Sequence, residues 1–212
     1  MAGGDAVSAD HFITCAENYG NIVICEQPRF AYIKLAKTAG SSIKHCLKSQ
    51  FPIIDSSHSD YRNRIADFFS RGRPFTFASI RNPYDRFGSM YGYLKNHHQY
   101  PKVNSALEFA SIVSDVLKRK IEHGGILCHC LRLSDAAYRQ SERMYDDLIR
   151  YESLQVDFNA IMRSVGGEEM ELPVIEQSER DPDLYDGQIE EAVFGIYEPD
   201  FENFQYLRGD RS

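Results

Sequence analysis

Two apolar runs constrain this chain most, because each hands over to a short polar turn and then to helical spacing. Phe30 to Leu35 is the first. It is followed by Ala36-Lys37-Thr38-Ala39-Gly40-Ser41-Ser42, after which Ile43, Cys46 and Leu47 recur at the interval of one helix face. Phe75 to Ile80 is the second. It ends at Arg81-Asn82-Pro83, and a helix is predicted from there to about Asn96, with Pro83 at the first position, where a missing N–H costs nothing. Apolar runs that alternate in this way with polar, helix-like stretches point to an α/β fold class.

The remaining elements fit around these two. Asn21–Cys25 and Phe30–Leu35 flank Glu26-Gln27-Pro28-Arg29 and predict a hairpin or two neighbouring strands. Phe51–Ile54 predicts a short strand, Asp60–Ser70 a helix, Ser105–Glu122 a helix and Leu148–Tyr151 a strand. Ser153 caps a helix that reaches Val165 and is stopped by Gly166-Gly167, and Gln188–Phe204 predicts a final amphipathic helix. Residues 1–20 read as a flexible N-terminal tail and residues 21–207 as a single domain. With 212 residues, such a chain buries enough surface to need no disulfide or metal staple.

Charge and cysteine usage narrow the function classes. The net charge is −7, with most of the acid in the last third, so a nucleic-acid partner is not expected. The basic cluster Lys118-Arg119-Lys120 reads as an exposed helix face. Five cysteines without regular spacing argue against a disulfide framework and for a reducing compartment. No apolar run approaches the ~20 residues of a membrane span. The expectation is a cytoplasmic protein without a membrane span; oligomeric state is left open.

The Lys37 to Ser42 loop has the composition of an anion cradle. Small side chains let backbone N–H groups approach an anion, and the following helix N-terminus adds about half a positive charge. Thr38, Ser41 and Ser42 offer hydroxyls and Lys37 a mobile cation. The order differs from GxxxxGK(S/T), in which the lysine comes late. A helix N-cap by Ser41 or Ser42 would use the same residues structurally. Arg81, at the carboxyl end of a buried strand, stands where open α/β sheets bind ligands and can grip a phosphate bidentately. It could equally satisfy a buried carboxylate. Ser89 follows eight residues on, about two helical turns, within reach of the same anion. Asp85 and Arg86 are expected to pair with each other or with solvent.

Taken together these motifs resemble the sulfotransferase superfamily that uses 3′-phosphoadenosine 5′-phosphosulfate (PAPS), of the carbohydrate O-sulfotransferase type. Lys37-Thr-Ala-Gly-Ser-Ser42 resembles its 5′-phosphosulfate loop, and Arg81 to Ser89 its 3′-phosphate motif. Arg150-Tyr-Glu-Ser-Leu154 is similar to its RYExL segment, and Ile196-Tyr-Glu-Pro-Asp-Phe201 to its C-terminal ending. The resemblance spans about residues 21 to 207. It implies a P-loop-like three-layer α/β/α fold with a central parallel β-sheet flanked by helices, and PAPS as donor, with 3′-phosphoadenosine 5′-phosphate (PAP) as product and no required metal. It further implies that Lys37 stabilises the leaving group, that Thr38, Ala39, Gly40, Ser41 and Ser42 hold the 5′-phosphate, and that Arg81 and Ser89 hold the 3′-phosphate. The acceptor is expected to be a hydroxyl or amine of a glycan, lipid or small molecule.

Removing the acceptor proton calls for a base. His58 is the candidate, since an imidazole titrates near neutrality; Asp55 and Asp60 are the alternatives. His45 reads as exposed. Cys128-His129-Cys130 lacks the second ligand pair of a structural zinc site, and His129 is expected to touch acceptor or cofactor. Ser178 and Arg180 are weaker candidates for a clamp over the donor. The acceptor pocket is expected from loops at 56–61, 97–105 and 123–134. Two other classes remain, a P-loop small-molecule kinase and a nucleotide-binding module without chemistry.

Overall fold

The computed structural model describes residues 21–95, 103–118, 124–139, 141–175 and 184–210. The expected tail at 1–20 lies outside the described residues, as do Arg119, Lys120, Ser178 and Arg180. In chain order the elements are β1 (Ile22–Cys25), β2 (Phe30–Ile33), α1 (Gly40–Gln50), α2 (Tyr61–Ser70), β3 (Phe75–Ile80), α3 (Pro83–Lys95), α4 (Ala106–Leu117), α5 (Gly124–Cys130), α6 (Leu133–Ala137), β4 (Tyr138–Arg139), β5 (Glu142–Arg143), β6 (Asp147–Arg150), α7 (Leu154–Ser164) and α8 (Gly187–Phe204). The described residues gather into two compact units, those from 21 to 80 with those from 136 to 175, and those from 81 to 135 with those from 184 to 210.

The first unit holds a mostly parallel sheet in the order β1-β2-β3-β6, flanked by helices. β1 and β2 form an antiparallel hairpin, Val23 opposite Tyr32. β2, β3 and β6 run parallel, Tyr32 beside Phe77 and Ser79 beside Ile149. Every residue of β1 and β2 is buried, as expected of strands covered on both faces. Side chains alternate across the sheet, so Val23, Tyr32, Phe77 and Ile149 share a face. On it lie Ile43, Cys46 and Leu47 of α1 and Phe158, Ile161 and Met162 of α7, each set at the i, i+3, i+4 interval of one helix face. The end of α7 follows its glycines. Gly167 N–H donates to Met162 C=O and Gly166 N–H to Arg163 C=O, a Schellman closure with Gly166 at φ 75°. Phe51–Ile54, expected as a strand, reaches the sheet only through one bridge between Ile54 and Ile24. Pro52 supplies no N–H for a ladder.

The second unit is helical. Tyr84 and Phe87 of α3, Phe109 and Val113 of α4, and Val193 and Phe201 of α8 share one apolar core. The hydroxyl of Ser105 accepts the Glu108 N–H and caps α4, where the sequence predicts the start. α8 is broken at Tyr197 (φ −111°), two residues before Pro199, whose ring excludes the regular i−4 geometry. Segment 123–134, expected as a loop, is largely helical over its described part, as α5 and the start of α6.

Arg86 is the clearest departure from expectation. It is 1% exposed and does not serve as a surface partner of Asp85. Its guanidinium donates to the His129 and Leu131 carbonyls at the end of α5, at 3.0 and 2.6 Å. It lies 3.9 Å from the carboxylate of Asp200, which is fully buried. Asp200 in turn accepts the Leu133 and Ser134 N–H groups and the Ser134 hydroxyl at the start of α6. The cation therefore meets the negative end of one short helix and the anion the positive end of the next. Burial pushes the Asp200 carboxyl up, against the pull of Arg86 and the Ser134 bonds.

Candidate functional site

The first unit carries the loop. β2 ends at Ile33, and α1 begins at Gly40 without any side-chain cap and without an acidic residue in its first turn. Ala39 occupies the cap position in the left-handed region (φ 62°), so neither Ser41 nor Ser42 caps the helix. The first intrahelical bond runs from Ile43 N–H to Ala39 C=O, and the amides of Gly40, Ser41 and Ser42 lie upstream of it. Lys37 is also left-handed (φ 66°), two residues before Ala39. Positive φ at two non-glycine residues costs ~1–2 kcal/mol each and persists where the surroundings impose it. Such turns create the concave arrays of N–H groups that receive anions.

The imposed geometry has an identifiable source. The Thr38 hydroxyl is fully buried and donates to Leu35 C=O at 2.9 Å. Having only one proton, it must then accept from Ser79 Oγ, 2.6 Å away. Ser79 must by the same reasoning accept from the Tyr32 hydroxyl at 2.7 Å. A directed relay thus runs from Tyr32 on β2 through Ser79 on β3 to Thr38 in the loop. Burial pushes the Tyr32 phenol well above its ordinary value, so the relay stays protonated. Thr38 therefore faces the core with its hydroxyl, and only its backbone remains for a ligand.

Removing the middle link tests the direction of this relay. Ser79→Ala leaves the buried Tyr32 O–H without its acceptor and should cost ~1–3 kcal/mol. Tyr32→Phe removes only the terminal donor and should cost less, and the double variant should recover part of the Ser79→Ala loss. Urea midpoints decide this; a larger cost for Tyr32→Phe than for Ser79→Ala would overturn the assigned direction.

Gly40 has a different part from the one its flexibility suggests. A Cβ there would meet Lys34 Cγ at 2.8 Å and Leu35 O at 3.3 Å, so it is the close approach of the preceding segment that requires glycine. Ser42 is buried and Ser41 and Lys37 are half-buried. His45 is exposed on α1, as its place off the apolar stripe predicts.

His58 lies in a second cluster of the same unit. Its Nδ1 is 3.2 Å from Asp55 C=O and 3.3 Å from Asp55 N. In one tautomer Nδ1 accepts the Asp55 N–H; in the other Nδ1–H donates to the Asp55 carbonyl and leaves Nε2 as the nitrogen with the free lone pair. The Asp55 carboxylate accepts the Ser57 N–H and hydroxyl and pairs with Lys44 of α1 at 3.1 Å. Burial alone would raise the Asp55 pKa, but the Ser57 bonds and Lys44 outweigh it and hold the carboxyl far below the ordinary range. The carboxylate is thus engaged by Ser57 and Lys44, while the Asp55 backbone holds the His58 ring. Asp60 pairs with Arg64 at 2.6 Å and is likewise lowered. Ser56, His58, Ser59, Asp60 and Asn63 line an open, polar depression.

The second unit opens with Arg81, immediately after β3. Arg81 is buried, and Ser89 is half-buried two turns along α3. Between them, Asn82 Oδ1 accepts the Tyr84 N–H and its amide donates to Asp210 C=O, which fixes the start of α3. His129 stacks on Tyr93 with ring centroids 5.2 Å apart, and its Nδ1 lies 3.2 Å from Cys128 Sγ. Cys130 is enclosed, and burial pushes its thiol up to about 12. Among the described residues no group of three or more His, Cys, Asp or Glu side chains is arranged to hold a metal ion. Likewise, no described helix is long and apolar enough to cross a membrane.

The Thr38–Ser79–Tyr32 relay and the Asp55 anchor of His58 are parts that sequence reasoning missed. Their only sequence signals are isolated hydroxyls in buried strands and a carboxylate three residues before a histidine. Comparison with known proteins finds no matching family model, no matching curated protein and no matching solved structure.

Proposed function

We propose that this chain is a sulfotransferase that moves a sulfuryl group from PAPS to a hydroxyl or amine of a glycan, lipid or small-molecule acceptor. The observation that carries the reading is the 34–42 loop. It joins a buried parallel strand to an uncapped helix, turns twice into the left-handed region, contains Lys37 and is held by the core through Thr38. The neighbouring parallel strand β3 ends directly before Arg81, as the order of the two motifs requires. The finer fold assignment belongs to this reading: a P-loop-like three-layer α/β/α arrangement in a cytoplasmic protein.

In this reading the donor needs no covalent help from the protein. Sulfuryl transfer, like phosphoryl transfer, is an in-line displacement through a loose transition state, in which positioning and charge stabilisation dominate. The ammonium of Lys37 neutralises charge that develops on the bridging oxygen as the bond to sulfur breaks. The amides of Gly40, Ser41 and Ser42 and the two serine hydroxyls receive the 5′-phosphate. Arg81 and Ser89 receive the 3′-phosphate, which separates this donor from simple adenylates. His58, oriented by Asp55, takes the acceptor proton on Nε2.

Calorimetric titration tests the donor half. PAP should bind without added metal, 5′-AMP should bind at least tenfold more weakly, and Arg81→Ala should lose about 10- to 100-fold in PAP affinity. If ATP with Mg²⁺ binds best and PAP does not bind, the reading is wrong and a kinase-type assignment replaces it.

A further inference from the structure

The second unit has a groove that the proposed chemistry does not use. It lies between α4 and α8 and encloses about 440 Å³. Its apolar lining comes from Leu107 and Ala110 on one side and from Ala192 and Ile196 on the other. Leu107 is 42% exposed, a large apolar side chain left at the surface. Gly195 also lines the groove, and a Cβ built on it would meet nothing within 4 Å. The space above that helix turn is therefore open, not filled by a neighbouring side chain.

The groove's charges are unevenly committed. Arg132 donates through Nε to Ile196 C=O at 2.7 Å, which fixes the guanidinium plane against the groove wall. Its charge is shared electrostatically with Asp135, three residues on, while Nε makes its hydrogen bond to the groove wall. Lys118, exposed at the end of α4, is the second cation. Of the two carboxylates on the rim, Glu191 is engaged by Arg208, and Asp115 sits one turn before Lys118. An apolar floor beside a fixed guanidinium and a mobile ammonium is complementary to one kind of small molecule.

We infer that the α4–α8 groove binds an amphipathic organic anion, a compact apolar body carrying one carboxylate, sulfate or sulfonate. The body lies over Ala110, Ala192 and Gly195, and the head meets Arg132 and Lys118. The site is independent of the PAPS reading and stands or falls without it.

The test uses the whole chain and the fluorescent probe 8-anilinonaphthalene-1-sulfonate, beside the uncharged N-phenyl-1-naphthylamine. One saturable site for the sulfonate is expected, with the neutral analogue about tenfold weaker. Gly195→Leu fills the groove and should weaken the sulfonate at least tenfold. Ser111→Met narrows it from the α4 side and should do the same, so one misfolded variant does not decide the outcome; thermal melts identify which variants are folded. The double change Lys118→Gln with Arg132→Gln should abolish the preference for the anion. The inference is overturned if folded Gly195→Leu and Ser111→Met both bind like the parent, if the parent binds no sulfonate, or if the charge changes leave its preference intact.

Discussion

Replacing Asp200 by alanine should lower the unfolding free energy by about 3–5 kcal/mol and the thermal midpoint by roughly 6–20 °C. The change removes the acceptor of two N–H groups and one hydroxyl at the start of α6, and leaves the Arg86 guanidinium buried without its counter-ion. A typical domain has only about 5–15 kcal/mol to lose. The informative comparison is with the pair removed together. Arg86→Met with Asp200→Leu should cost clearly less than the sum of the two single changes, because no uncompensated charge is left behind. Strict additivity in a denaturation series would show that the 3.9 Å ion pair carries no coupling and that Asp200 acts only through its bonds to α6.

Lys37→Ala should reduce turnover by about 10²- to 10³-fold, while PAP affinity falls far less. The difference arises because the ammonium is proposed to act on charge that appears only as the sulfur–oxygen bond breaks. Release of PAP from the donor, followed with an acceptor found by screening, provides the rate, and calorimetry provides the affinity. Loss of affinity in proportion to rate would place Lys37 in ground-state binding. A parent protein that binds PAP tightly and turns over no acceptor would favour the module without chemistry.

Much of the architecture was legible from periodicity and punctuation. The runs at 30–35 and 75–80 mark two buried strands, Pro83 and Ser105 mark helix starts, and Gly166-Gly167 marks a helix end. What was not legible depended on partners distant in sequence. Arg86 next to Asp85 reads as a surface pair; its actual counter-ion stands 114 residues later, and nothing local reports that both are enclosed. Thr38 reads as one hydroxyl among three in the loop. Only the strand register, which brings Ser79 and Tyr32 beside it, turns it inward. The left-handed residues are not legible in the sequence for a local reason. Glycine is the default at positive φ, yet here Lys37 and Ala39 adopt it, and Gly40 is kept small by the Lys34 side chain. The helix at 124–130 escaped notice because a seven-residue segment opening with two glycines has too few turns to display a face.

The two units interleave along the chain, which crosses from one to the other after Ile80, again after Asp135 and a third time after Ile175. During synthesis, therefore, neither is finished before the other has begun. The sheet waits for β6, made only after α3 to α6 have emerged, and those helices wait for α8, whose Val193 and Phe201 complete their core and whose Asp200 seats α6. A chain whose first 175 residues have left the ribosome would present a completed sheet and a stretch of helices still lacking α8. Such a nascent chain is a natural client for chaperones, and neither unit can be excised as one uninterrupted gene fragment.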